Sequence, residues 1–250
     1  MSRLSRLGET SFNNFGTQMK IVEYKSSAKI TIEFQDEYKT RIITRYDCFK
    51  DGRVSNPYDK TIYNIGYIGE GKYNRTKTPI IYQYWQKMIQ RCYDAYYINK
   101  EMTYKDCFVC EEWHCLQNFG KWYEENYYEC NNEKMQLDKD ILCKGNKIYS
   151  PETCIFVPKR INTLFCKSDK IRGKYPIGCT VKDNKIHVRC NMCNHRKYLG
   201  YFPLNRPFQA FYTYKIFKEN YIKQVADEYK DFIPKKLYEA LYKWEVEIND

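Results

Sequence analysis

The chain has 250 residues, of which 43% are hydrophobic, and its net charge is +11. This hydrophobic fraction excludes a wholly disordered chain, and the length allows two or three small domains. No run approaches the roughly 20 apolar residues of a membrane span, and the segment Met1–Leu7 lacks the apolar core of a signal peptide. We therefore expect an intracellular protein that is not secreted, has no membrane partner and keeps its twelve cysteines as reduced thiols.

The charge is unevenly distributed along the chain. The window from Lys167 to Lys215 holds eleven Lys/Arg and two acidic residues, whereas the window from Glu101 to Ser150 holds six basic and ten acidic residues. A concentrated basic field attracts a polyanion, and nucleic acid is the usual one. A cationic surface that serves only solubility is the alternative.

The first predicted module spans 1–75 and is β-rich. Met19–Tyr24 and Ile30–Phe34 alternate apolar and polar residues, which is typical of half-buried strands. This module shows no catalytic signature. An accessory DNA contact and a purely packing role both stay open for it.

The central module, 76–168, is predicted to be mixed α/β. Apolar residues at helical spacing, among them Ile81, Trp85 and Met88, predict its first helix. The predicted elements are helices at 78–93 and 111–126, strands at 135–142 and 153–157, and a short helix at 159–165. The last three form a strand–strand–helix unit.

The C-terminal module, 169–250, is predicted to be a three-stranded sheet followed by a long helix. Its elements are strands at 177–182, 186–191 and 197–202 and helices at 206–229 and 235–244. The apolar stripe of the long helix is assigned to Phe208, Phe211, Tyr212, Ile216, Tyr221 and Val225. The predicted fold class of the whole chain is α+β.

Alternation divides the side chains of these three strands between two faces. The apolar face comprises Ile177, Cys179, Val181, Ile186, Val188 and Cys190. The opposite, cationic face comprises Thr180, Lys182, His187, Arg189, Asn191, Arg196 and Tyr198. A ribbon of this kind fits the DNA major groove, where Arg and Asn recognise guanine and adenine edges. An ordinary solvated sheet face is the alternative.

Four segments of this module share a further pattern: Pro176–Lys182, Lys185–Cys190, Lys197–Phe202 and Gln209–Tyr214. Together they resemble the Apetala/ethylene-response-factor DNA-binding domain, in which three strands precede a helix. The resemblance implies that the outer sheet face binds double-stranded DNA, and it places Thr180, Lys182, Arg189, Asn191, Arg196 and Tyr198 there. The chain departs from the family at Ile186, where a large aromatic residue is usual, and it lacks several family arginines.

The central segments Trp85–Tyr93, Val109–Phe119 and Leu137–Cys154 resemble, in order and spacing, those of phage HNH homing endonucleases. In such proteins this unit often precedes the ethylene-response-factor-type module. The resemblance implies a phage or mobile-element protein of the host cytoplasm, and a DNA-cutting hairpin that uses one divalent metal, Mg²⁺ or Mn²⁺.

Carried over residue by residue, Asp138 matches the metal-binding Asp and Asn162 matches the polar position on the helix. Lys139 stands where the water-activating His belongs, and Thr153 stands where an Asn belongs. Lysine is normally protonated at neutral pH, so it cannot take the proton of water, although it can stabilise a phosphate as a fixed cation.

Two interpretations of this hairpin stay open. In the first, an altered active site uses Asp138, Lys139 and Asn162, and Asp138, Asp140 and Asn162 bind the metal. In the second, the hairpin is an inactive scaffold that places Lys139, Lys144 and Lys147 on DNA phosphates. The chain is then a sequence-selective DNA-binding protein or regulator. A phage protein that binds a host protein is a third possibility, and the sequence does not identify a protein partner.

Two cysteine clusters invite a zinc interpretation. They are Cys107 and Cys110 with His114 and Cys115, and Cys190 and Cys193 with His195. Cys190 falls on the predicted core face, and Cys193 and His195 fall in a hairpin turn that needs no metal. The pattern therefore favours packed, reduced thiols over structural zinc.

Overall fold

The computed structural model describes residues 6–100, 104–166, 175–193, 195–248 and 250. Its helices and small sheets form a mixed α+β structure, which confirms the predicted fold class. The chain divides into two compact units, the first ending at Glu125 and the second beginning at Asn126. Residues 76–125 of the predicted central module thus lie in the first unit, and 126–168 lie in the second. In the part of the chain that the structure describes, no helix is both long and apolar enough to cross a bilayer.

The first unit opens with a four-stranded antiparallel sheet in the order β1-β2-β3-β4. Its strands are β1 (Thr10–Phe12), β2 (Gln18–Ser26), β3 (Lys29–Phe34) and β4 (Arg41–Thr44), and α1 (Tyr46–Lys50) follows them. The two predicted strands are confirmed as β2 and β3. Their apolar residues, including Met19, Ile21 and Ile32, pack with Phe49 of α1 in one core.

The rest of the first unit is mainly helical. Its elements are α2 (Pro79–Tyr93), α3 (Ala95–Lys100), β5 (Phe108–Val109), a 3₁₀ turn (Glu111–His114) and α4 (Leu116–Asn126). The predicted helix at 78–93 is confirmed, but the continuous helix at 111–126 is wrong because Cys115 is extended. The indole nitrogen of buried Trp85 donates a 2.8 Å hydrogen bond to the Trp113 carbonyl, an acceptor that a continuous helix would use internally.

The second unit begins with the predicted strand–strand–helix unit, which is confirmed. Its elements are β6 (Met135–Asp138), β7 (Ile148–Tyr149), β8 (Ile155–Pro158) and α5 (Lys159–Thr163), and β6 pairs antiparallel with β8. We call residues 135–163 the central hairpin. Its first strand ends at Asp138, earlier than predicted, because the Asp138 carboxylate accepts hydrogen bonds from the backbone N–H groups of Asp140 and Ile141 and turns the chain.

The C-terminal sheet has the order β11-β10-β9, and all its neighbours are antiparallel. The elements are β9 (Cys179–Lys182), β10 (Lys185–Met192), β11 (His195–Pro203), α6 (Pro207–Glu228) and α7 (Lys235–Tyr242). The three predicted strands and the long helix are confirmed. Asp183 and Asn184 both have positive φ in the β9–β10 turn, the backbone that a two-residue hairpin needs.

Helix α6 covers the apolar side of this sheet with a single face. The buried residues are Ala210, Phe211, Tyr214, Lys218, Tyr221, Ile222, Val225 and Ala226. The predicted stripe is right for Phe211, Tyr221 and Val225 and wrong for Phe208, Tyr212 and Ile216, which are 69%, 60% and 56% exposed. Those three residues are spaced by four and form a second, exposed stripe on the helix.

The central hairpin and the C-terminal elements are tied together inside the second unit. Arg160 of α5 forms a 2.5 Å ion pair with Glu228 at the end of α6. The Tyr229 hydroxyl donates a hydrogen bond to the carboxylate of Glu133, just before β6. The rings of Phe165 and Trp244 lie 4.3 Å apart between centroids. The hairpin thus supports the helix on which the sheet rests.

Candidate nucleic-acid interface

The C-terminal sheet presents one exposed, cationic face, which we call the outer face. Its members are Thr180, Lys182, Lys185, His187, Arg189, Asn191, Arg196, Tyr198 and Tyr201. The strand register sets Arg189 opposite Tyr198 and Asn191 opposite Arg196. All six residues that the sequence assigned to DNA binding therefore lie on one face. The alternate residues of β10, Ile186, Val188 and Cys190, are fully buried against α6.

A β-bulge adds Tyr201 to the outer face. The register of β10 and β11 shifts between Val188 and Arg189. Val188 lies opposite Gly200 and Arg189 lies opposite Tyr198, which leaves Leu199 as the extra residue. Gly200 has a φ of +121°, which only glycine adopts readily. Strict alternation from Tyr198 would turn Tyr201 inward, so the sequence analysis missed it. The glycine inside a predicted strand was the available signal.

Lysine and arginine side chains contact aromatic rings on the outer face. The Lys185 ammonium lies 4.3 Å from the ring centroid of Tyr201, and the Arg189 guanidinium carbon lies 5.7 Å from that of Tyr198. Nδ1 of His187 and the Tyr198 hydroxyl are hydrogen-bonded at 3.1 Å. Side chains that are ordered before a partner arrives lose less entropy on binding.

The outer face has almost no negative charge of its own. Between residues 175 and 205 the sequence has five Lys/Arg residues and one acidic residue, Asp183. Strands β9, β10 and β11 contain no Asp or Glu. This surface therefore carries a positive field, which suits a polyanionic partner.

The central hairpin holds Lys139 and Lys144 in contacts within the second unit. Lys139 is only 6% exposed, and its ammonium donates hydrogen bonds to the Asn146 carbonyl at 3.1 Å and to the Asp140 carboxylate at 3.3 Å. The Lys144 ammonium donates to the Glu245 carbonyl at 2.8 Å and to the Asp250 carboxylate at 2.9 Å. Lys139 therefore closes the loop between β6 and β7 instead of facing solvent.

Asp138 and Asp140 lie close together at the end of β6. Burial, and then the negative charge of Asp140, raises the pKa of Asp138 to about 6. One Asp138 oxygen accepts two backbone N–H bonds, and one Asp140 oxygen pairs with the Lys139 ammonium. Half-buried Asn162 lies on α5, which packs against β6 and β8.

These contacts decide how well the hairpin suits the divalent metal implied by the resemblance. A catalytic centre of this type needs free carboxylate oxygens and a group that takes a proton from water. The Lys139 ammonium already occupies the place beside Asp140 that a metal ion would take. The same buried lysine stands where the proton-accepting histidine of the HNH pattern would be. The residues present therefore do not fit a catalytic metal centre of the HNH type, and we derive no reaction step from it.

Replacing Asp138 by asparagine should stabilise the protein in a pH-dependent way. The asparagine oxygen can accept the same two backbone bonds and carries no charge. Because the folded-state pKa is raised above the ordinary 3.8, the native state favours the neutral acid, and this contribution to stability is lost as pH rises through about 6. We expect Asp138→Asn to raise the free energy of unfolding by about 1–3 kcal/mol near pH 8 and by nothing below about pH 4. Urea titrations across this range measure it; an equal gain at both ends would contradict it.

The cysteines are free thiols, and seven of the twelve are buried. Cys190 is fully buried on the sheet underside, and the Tyr221 hydroxyl lies 3.3 Å from the Cys193 sulfur. Among the described residues, no group of three or more His, Cys, Asp or Glu side chains is arranged to hold a metal ion.

Comparison of the chain with known protein families, with curated proteins and with solved structures found no match.

Proposed function

We propose that this protein binds duplex DNA through the outer face of its C-terminal sheet. The observation that carries the proposal is the convergence of Arg189, Asn191 and Arg196 on one exposed face that has no acidic residue in its strands. The resemblance to the ethylene-response-factor domain, drawn from the strand segments, supports the same surface.

Affinity and selectivity come from different side chains in this proposal. The lysines at the sheet margin, Lys182 and Lys185, neutralise phosphates and release counterions. Arg189 offers two donors that match the acceptors of guanine in the major groove, and Asn191 offers a donor and an acceptor that match adenine. Because Asn191 and Arg196 are directly opposite across two strands, they reach neighbouring positions of one site.

Cleavage is not part of this proposal. Metal-dependent nicking by the central hairpin stays a prediction of the HNH resemblance. A plasmid-nicking assay with Mg²⁺ or Mn²⁺ tests it, with Asp138→Ala as the variant that must lose any activity observed.

The proposal is tested by selecting bound DNA from a random duplex pool. The affinity for the selected site is then measured at increasing salt concentrations. Since the outer face offers several phosphate-neutralising cations, we expect log K to fall with log salt at a slope of roughly −3 to −5. A protein-binding surface lacks this steep dependence. An unenriched pool together with a shallow salt dependence would reject DNA as the ligand.

A further inference from the structure

Two lysines are buried among the described residues, and they differ in their surroundings. Lys139 donates to a carbonyl and a carboxylate, as described above. Lys218 of α6 is 7% exposed and has no hydrogen-bond or ion-pair partner within the described ranges. It stands on the buried face of α6, where Tyr214, Tyr221 and Ile222 are its neighbours along the helix. A buried ammonium without a counterion is costly, so an anion beside Lys218 would stabilise its charged form.

Lys218 lines a cavity of about 550 Å³ beside the open edge of β10. The polar side chains around the cavity are mostly cationic or donors: Arg189, Asn191, His195 and Arg196. Its one described acid, Asp250, already accepts from the Lys144 ammonium at 2.9 Å. A volume of this size is typical of sites for small organic ligands.

The titratable groups that act on Lys218 are thiols from three segments: Cys166 after α5, Cys190 on β10 and Cys193 in the β10–β11 turn. Burial lowers the pKa of Lys218, and it raises the pKa values of Cys166 and Cys190. Cys166 and Cys190 are therefore neutral near neutral pH and supply no counterion. An anion in the cavity would oppose the effect of burial and keep Lys218 in its charged form.

We propose that this cavity is an anion site for a phosphate group, with Lys218, Arg189 and Arg196 among the residues of its wall. Phosphate suits this set because several N–H donors from different elements can each take one of its oxygens. The phosphate comes either from the backbone of a bound duplex or from a free phosphate or mononucleotide. The site does not depend on DNA binding, because the free anion is one of its ligands.

Thermal unfolding tests the site. The melting temperature is measured with inorganic phosphate, with a deoxynucleoside 5′-monophosphate and with a short duplex. Each measurement is compared with chloride at equal ionic strength. We expect at least one of these ligands, at ten times its Kd, to raise Tm by roughly 3 °C. Lys218→Met should lose this increase, because methionine keeps the length and removes the charge. Lys223→Met, which changes another lysine of α6, should keep it.

The pattern of responses identifies the phosphate source. Stabilisation by phosphate or by the mononucleotide assigns a free ligand. A response to duplex alone, with a salt slope shallower by about one in Lys218→Met, assigns a backbone phosphate. An equal response in Lys218→Met and the parent, or no response to any of the three, would overturn the site. Phosphate stabilisation in a protein that binds no duplex would overturn only the proposed function.

Tryptophan fluorescence gives a second measurement of ligand binding, one that does not depend on the unfolding transition. Trp244 lines the same cavity, so ligand binding should change its emission. Removing an unpaired buried charge should leave the Tm of unliganded Lys218→Met as high as that of the parent or higher. A ligand titration that changes tryptophan emission equally in a Trp244→Phe variant would argue against the cavity as its location.

Discussion

Arg189→Ala is expected to weaken binding to the selected duplex by about 1–3 kcal/mol, which corresponds to a loss in affinity of roughly 5- to 150-fold. Arg189 lies in the middle of the outer face, opposite Tyr198, and its guanidinium already stacks near that ring. The loss should be accompanied by relaxed selectivity at one base position, because a base contact and not only a charge is removed. Fluorescence anisotropy with the selected site and single-base variants of it measures both effects.

Lys197→Ala is the matched control for this experiment. Lys197 lies opposite Cys190 and alternates with Arg196 and Tyr198, so it points to the α6 side of the sheet. It removes the same charge without touching the outer face. We expect it to change affinity by about 0.5 kcal/mol or less. Equal losses in both variants would mean that net charge alone attracts the DNA, and would remove Arg189 from base recognition.

Gly178→Ala should destabilise the second unit by about 2–4 kcal/mol. Gly178 precedes β9 with a φ of +79°, and a Cβ at this position would overlap the ring of Tyr214 on α6. Its carbonyl also accepts the Arg189 N–H at 2.9 Å. The substitution therefore pushes the sheet away from its helix at the strand that starts the outer face. Urea denaturation measures the loss of stability.

Gly145→Ala separates backbone strain from this steric overlap. Gly145 belongs to the same unit and has nearly the same φ, +80°, but no atom lies within 4 Å of the position of an added Cβ. We expect it to cost only the left-handed backbone strain, about 1 kcal/mol. If the two glycine variants lost equal stability, close packing of Gly178 against Tyr214 would not be the reason for the loss in Gly178→Ala.

Periodicity along the chain was sufficient to predict most of the secondary structure. The alternation in β10 fixes which residues face α6, because a shift of one residue would bury Arg189 and expose Val188. The same argument places the six predicted DNA-contacting residues on one side. Helix α2 could be predicted in the same way, because Trp85 and Met88 lie on one face at helical spacing.

Features that depend on a single local contact could not be predicted in this way. The bulge at Gly200 changes the side of Tyr201 without changing the composition of β11. At the break before α4, the Trp113 carbonyl accepts a hydrogen bond from Trp85, which is distant in sequence. Burial of Lys139 and Lys218 contradicts the ordinary preference of lysine for solvent, and only the surrounding elements reveal it.

The ties between the central hairpin and the end of α6 have a consequence for how recognition and chemistry are related in this chain. Arg160 and Glu133 anchor α6 through Glu228 and Tyr229, and the sheet rests on that helix. The hairpin thus holds α6 in place and, with it, the outer face of the sheet. This structural role does not depend on catalysis, so the outer face would need the hairpin even in a protein that cuts nothing.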